Sequence, residues 1–154
     1  MAITTEWRSV AGSEVKHEDH KEHEVHEGRP NGDMEVTARA IVDSGLTVHR
    51  ALGPGLLESV YEHCLAHELT LRGLTVRRQV SLSVSYRDIQ LDAGYRVDLL
   101  VEDAVVIEIK AVEAFSRLHE AQLLTYLKLS GYRMGFLMNF NVRLFKEGLR
   151  RFVL

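Results

Sequence analysis

Three charged side chains stand where the sequence would otherwise bury only hydrocarbon: Asp98 in YRVDLLVE, and Glu108 and Lys110 in VVIEIKAV. Removing a carboxylate from water without a partner is costly, so a run such as VVIEIKA has no stability reason to contain one. In a strand, residues two apart point to the same face, which puts Glu108 and Lys110 together and Ile107 and Ile109 on the other side. If Glu102 and Asp103 form a hairpin turn, Asp98 lies across the ladder within about one residue of Glu108. Two acids and a lysine on one patch of sheet are the parts of a metal-dependent hydrolytic site. The alternative is a cross-strand ion pair on a solvent-facing sheet, which would be worth little.

The elements that must hold this patch follow from the apolar periods. Asp33 is placed to cap a helix running to about Ala51, with Ile41, Val42, Gly45, Val48 and Leu52 as its stripe. The Gly-Pro-Gly at 53–55 ends it. A second helix is expected from Leu56 to Arg72, with Leu57, Val60, Tyr61, Cys64, Leu65 and Leu69 inward, and Gly73 as its stop. From Thr75 the period becomes alternating: one strand to Tyr86, a turn at Arg87-Asp88, then Leu91–Val101 and Ala104–Ala111 complete a meander. A third helix over Ser116–Ser130 and a fourth strand over Arg133–Phe140 follow. A short turn and a terminal strand ending at Arg151-Phe152-Val153 close the chain. The expected fold is α/β in the order α-α-β-β-β-α-β, with one more strand at the end and a central sheet flanked by helices.

The chain has 154 residues, of which 45% are hydrophobic and 27% charged, ordinary values for one globular domain. No apolar run is long enough to span a membrane, and the N-terminus lacks the apolar core of a secretory signal. A single cysteine, Cys64, excludes an internal disulfide and fits a reducing compartment, so a cytoplasmic location is expected; on the packed face of the second helix it reads as core. The formal charge of −3 is unevenly spread. Residues 1–32 hold four basic and seven acidic side chains, which leaves fifteen of each in 33–154. That is not the strongly basic balance of a non-specific nucleic-acid binder. The C-terminal cations Arg143, Lys146, Arg150 and Arg151 form a local basic strip, either contacts for a nucleic-acid backbone or a solvated face. Residues 1–32 are expected to be a disordered extension, with 33–154 as the folded domain. His17, His20, His23 and His26 repeat every three residues there, a spacing that either gathers a transition metal on a helix or belongs to a solvated charged tail.

Helix, three strands, helix and strand, with Asp and Glu-x-Lys on adjacent central strands, resemble the PD-(D/E)XK nuclease superfamily. GLLESVY at 55–61 is similar to GxxExxY, the motif that names a family of small proteins of this kind. GYRVDLLVE, VVIEIKAV, HEAQLLTYLKLSG and GFLMNFN extend the resemblance in order over about residues 35 to 153. It implies a restriction-endonuclease-like core and a metal-dependent nuclease acting on nucleic acid, DNA ahead of RNA, without a membrane. It also implies that Asp98 and Glu108 bind metal, that the carbonyl of Ile109 completes the inner shell, and that Lys110 stands beside the attacking water. Glu58 matches an acid brought from the preceding helix, where a surface carboxylate is the alternative. Gln122 and Tyr126 match a QxxxY element, where buttressing the sheet is the alternative. The proline of the PD pair is replaced by Val97, a position that is often apolar in divergent members.

The implied ion is Mg²⁺ or Mn²⁺, hard cations suited by two carboxylates and a carbonyl. Gln122 and Tyr126 lie four apart and share a helix face. His119, one turn before Gln122, could touch a phosphate or be structural. Small nucleases of this fold often act as homodimers, so a second copy is an expected partner. A non-catalytic nucleic-acid or protein interaction module keeping the same fold is the alternative function, because fold alone does not establish activity.

Overall fold

The computed structural model describes residues 31–154, apart from the side chains at 31, 32, 93 and 94. The four histidines of the extension, and its expected disorder, lie outside the described residues. Helix α1 spans Asn31–Leu52, so Asp33 is not the residue that caps it. It sits inside the first turn instead, where its charge faces the positive end of the helix dipole. Helix α2, Glu58–Leu71, begins two residues later than expected because the Gly53–Gly55 loop continues to Leu57, which holds the N-cap position in extended geometry. Its other end is a Schellman closure. Gly73 at φ +83° donates to Thr70 O and Leu74 donates to Leu69 O, as a left-handed residue at that point allows.

Five strands form one mixed sheet in chain order: β1 (Val76–Tyr86), β2 (Ile89–Val101), β3 (Val105–Lys110), β4 (Met134–Asn139) and β5 (Leu149–Val153). Only β3 and β4 run parallel; the crossover between them is α3, Arg117–Ser130. The terminal strand expected at Arg151-Phe152-Val153 is β5, antiparallel to β4 and preceded by a short 3-10 helix at Phe145–Gly148. Ser116 starts α3 with a capping box in which His119 takes the place of the usual acid. The Ser116 hydroxyl accepts the His119 N–H at 3.3 Å, and His119 Nδ1 accepts the Ser116 N–H at 3.2 Å. Of the two roles open to His119, the structural one is therefore filled.

Each face of the sheet has its own apolar cluster. Helices α1 and α2 bring Ile41, Tyr61, Leu65 and Leu69 against Leu99, Ile107, Ile109 and Phe136. On the opposite face α3 brings Leu123 and Leu127 against Val97, Leu100, Val106 and Leu137. The helix comes close because Gly135 is bare: a Cβ there would lie 3.1 Å from Leu123. Alternation along β2 fails at one point. Val97 packs on the α3 side and Leu99, two residues on, packs on the α1–α2 side, so the strand turns over at Asp98. Facing Asp98 on β1 is Gln79, whose φ of +51° is rare for a residue with a side chain. Among the described residues no helix is long and apolar enough to cross a membrane.

Candidate active site

The β2–β3 hairpin sets the site. Glu102 and Asp103 both adopt φ +52°, and Ala104 donates to Val101 O at 3.0 Å, closing a turn of the mirror-image type whose twist suits a hairpin. From there the register runs Val101 with Val105, Leu100 with Val106 and Leu99 with Ile107. One step on, Asp98 stands opposite Glu108, but side chains replace the backbone ladder. Asp98 Oδ2 accepts the Ile109 N–H at 2.7 Å, and Glu108 Oε1 accepts the Asp98 N–H at 3.3 Å. In a strand the N–H and C=O of one residue leave by the same edge. The carbonyl of Ile109 therefore faces the Asp98 side, while its side chain is buried among the α1–α2 core.

Lys110 ends β3 half-buried, paired in register with Asn139 of β4. Asn139 is buried and holds the chain beyond the lysine: its amide donates to Val112 O at 2.8 Å and its Oδ1 accepts the Val112 N–H at 3.1 Å. Phe140 adds an N–H to Lys110 O at 3.0 Å. The backbone around the lysine is thus clamped on the β4 side.

Helix α2 supplies two further acids. Glu58, its first residue, is exposed and accepts the Ala111 N–H at 3.3 Å, beside the end of β3. Tyr61 explains how it gets there. Its buried hydroxyl donates to Gly53 O at 2.6 Å and accepts the Leu56 N–H at 3.1 Å, while its ring stacks on Phe140. The tyrosine therefore fixes the loop from which Glu58 starts. The second acid, Glu62, is only 6% exposed. Arg78 Nε reaches its Oε1 at 3.1 Å, and Gln79 Nε2 donates to its Oε2 at 2.8 Å and to Asp98 Oδ1 at 3.3 Å. One amide bridges two carboxylates, and that bridge accompanies the left-handed backbone at Gln79. Glu62 and Gln79 were missed as site residues in the sequence. A carboxylate inside the apolar stripe of α2, one turn after Glu58, was the signal available for the first.

On α3, Tyr126 packs against Tyr95, with ring centroids 4.9 Å apart. Burial, then the nearby charge of Glu108, holds its hydroxyl above the usual tyrosine range, which puts the phenol within electrostatic reach of the acids. Gln122 is half-buried one turn earlier, and its side chain makes no hydrogen bond among the described residues. The structure thus brings Asp98, Glu108, Ile109 and Lys110 together and sets Glu58 and Tyr126 at the border, with Gln122 one turn of α3 before Tyr126.

Burial and the charge of Asp98 push the Glu108 carboxyl up to about 8, against a smaller opposing pull from Lys110. Asp98 is raised too, mainly by burial, while its bond from Ile109 works in the other direction. Two carboxyls crowded this way favour a cation between them. Among the described residues no three His, Cys, Asp or Glu side chains converge as a ligand set. The donors available are oxygens alone: two carboxylates and one carbonyl. That set fits Mg²⁺, which keeps several waters and takes only one or two carboxylates from a protein.

Arg150 and Arg151, part of the expected basic strip, are engaged locally. Arg150 lies 4.0 Å from Glu120 and over the Phe115 ring; Arg151 is forked onto Glu35. Cys64 is half-buried at the edge of the core rather than inside it.

Neither a curated protein nor a solved structure matches the chain at a significant level. A family model, of the PD-(D/E)XK nuclease superfamily, does match over residues 35–152, from within α1 to within β5. With Asp98 and the Glu-x-Lys of β3 on adjacent central strands, the chain belongs to the PD-(D/E)XK nuclease superfamily.

Proposed function

We propose that the protein is a divalent-metal-dependent nuclease of the GxxExxY kind, hydrolysing phosphodiesters in nucleic acid, with DNA as the first substrate and a homodimer as the form that would cut two strands. The observation that carries this reading is the opposition of Asp98 and Glu108 where the β2–β3 ladder stops, with the Ile109 carbonyl on the same edge and Lys110 two residues along. Asp98, Glu108 and the Ile109 carbonyl would hold Mg²⁺ or Mn²⁺, with Glu58 as the donor from α2. When bound, the ion supplies Lewis-acid polarisation of a phosphoryl oxygen and a more acidic water.

The chain's own residues do the rest. Gln79 and Glu62 hold Asp98 in its orientation, so that its second oxygen stays on the Ile109 N–H. Lys110, kept in place by the Asn139 and Phe140 bonds, is positioned to orient the attacking water and stabilise the charge that builds on the phosphoryl oxygens. Tyr126 and Gln122 line the α3 side, where each can donate to a phosphate. Glu58 is tied to the end of β3 through Ala111, so a shift of α2 would be felt at the lysine.

The test is cleavage of single-stranded, duplex and branched DNA, and of RNA, with Mg²⁺ or Mn²⁺ and with EDTA. We expect metal-dependent products and a fall of at least about 10²-fold for Lys110→Ala, the scale of losing a positioned proton-transfer or charge-stabilising group. Wild-type and variant proteins that behave alike on every substrate would remove catalysis from this site.

One observation favours a second reading, a non-catalytic module that keeps the fold: the absence, among the described residues, of three converging ligand side chains. Calorimetry separates the two. A module without a metal site takes up neither Mg²⁺ nor Mn²⁺ in a manner that depends on Asp98 and Glu108.

A further inference from the structure

A cleft of about 600 Å³ opens where the end of α1 meets the loop after β4, and its charged lining is Arg50, Arg143 and Lys146, with His49 beside them and no acid. All three cations are exposed, and none has an ion pair among the described residues. Four other arginines have close acid partners: Arg72 with Glu68, Arg77 with Asp103, Arg78 with Glu62, Arg151 with Glu35. Arg50 lies in the last turn of α1, where a cation complements the dipole. That accounts for one of the three charges and not for their convergence.

The walls of the cleft are built rather than loose. His49 Nε2 donates to Val142 O at 2.7 Å and so anchors the residue before Arg143. Phe145, the residue before Lys146, packs its ring 5.9 Å from that of His49 and 5.6 Å from Phe140. It enters a notch left by Gly45, where a Cβ would stand 2.4 Å from the ring. Gly148 then passes so close to Asn139 O that a Cβ would sit 2.0 Å away. Across the cleft are Gly53 and Pro54, on the loop pinned by the Tyr61 hydroxyl. The two rims are therefore continuous with the two segments that flank the acids. One leads from Gly53 to Glu58, and the other runs from Asn139, which holds the chain after Lys110, to Arg143.

Electrostatics supply the reason for such a neighbour. Even with a proton kept on Glu108, the acids Glu58, Glu62 and Asp98 outnumber Lys110 and Arg78, so the centre repels a polyanion until a cation is bound, and a basic rim would hold the strand. We propose that the cleft formed by Arg50, Arg143 and Lys146 binds a backbone phosphodiester of the nucleic-acid substrate, one that flanks the position to be cut. This rests on the nuclease reading of the Asp98–Glu108 centre. Contacts of this type position a strand without reading its sequence.

The experiment is binding of fluorescently labelled single-stranded and duplex oligonucleotides to the full chain in EDTA, across a potassium chloride series. The combined variant Arg50→Ala, Arg143→Ala, Lys146→Ala should bind at least about tenfold more weakly. The slope of log affinity against log salt should fall by about one, since the one lost phosphate contact removes a little under one. Arg87→Ala with Arg133→Ala, exposed cations elsewhere, should leave both quantities unchanged, and thermal melting confirms that the variants are folded. Equal affinity and equal slope for the triple variant and the wild type would overturn the cleft. Inorganic phosphate that binds at the cleft while neither oligonucleotide does would overturn it as well. The nuclease reading fails separately. Binding that is sensitive to the triple variant, without metal-dependent cleavage by the wild type, keeps the anion site and removes the activity.

Discussion

Two pairs of acids lie close together in this sequence, Asp98 with Glu108 and Glu102 with Asp103, and the protein treats them in opposite ways. The turn pair is answered by the rest of the molecule. Glu102 accepts the Thr75 N–H at 2.6 Å and returns its own N–H to Thr75 O, and Asp103 pairs with Arg77. These bonds offset two left-handed backbones and stitch the hairpin to the start of β1. The strand pair receives only backbone N–H groups and one shared amide, with Glu108 buried and Asp98 half-buried, and is crowded by its own like charge. An acid that the fold answers with a cation or a ready donor is part of the fold. An acid that the fold crowds against another acid is one whose charge a bound cation would relieve.

The largest effect that would break this contrast concerns cation uptake. Asp98→Asn and Glu108→Gln should each weaken Mg²⁺ or Mn²⁺ binding at least about tenfold, the scale on which ligands and their supporting groups act. Glu102→Gln and Asp103→Asn should leave it within error. Isothermal calorimetry on the four variants reads this directly, and equal losses for both pairs would erase the distinction.

A smaller, pH-dependent effect sharpens it. The folded chain keeps a proton on Glu108 that the unfolded chain releases near 4.5, so metal-free stability is fully present below that range and is lost as pH rises towards about 8. The raised Asp98 acts in the same direction. Urea unfolding in EDTA should show this decline for the wild type and for Glu102→Gln, and a flatter profile for Glu108→Gln. A wild-type profile that is flat or rising over this interval would contradict the crowding of the strand pair.

The smallest effect belongs to the turn. Asp103→Asn removes an exposed ion pair with Arg77 while keeping a residue type that tolerates the left-handed backbone, and should cost about 0.2–1 kcal/mol in chemical denaturation. Metal uptake and cleavage should not change. A loss of metal affinity in this variant would mean that hairpin and site are mechanically coupled more tightly than the hydrogen bonds suggest.

The elements of this protein were determined locally. Stripes at helical spacing, the change to alternation after Thr75, and glycines at 53, 73 and 131 with positive φ punctuate the chain by rules that act within a few residues. The acids of β2 and β3 were legible for the same reason, since a charge in an apolar run is visible without knowing its partner. Asp33 misled because an acid suits both the cap and the first turn of a helix, and only the start of α1 at Asn31 decides between them. What tertiary structure alone decided was which distant groups meet. Gln79 joins Glu62 to Asp98, Tyr61 closes the loop before Glu58, and the parallel partner β4 sets Asn139 beside Lys110. It also parted the C-terminal cations, giving Arg151 to Glu35 and leaving Arg143 and Lys146 to a cleft shared with Arg50. Such meetings depend on closing long loops through a common core, and no periodicity within a single segment records them.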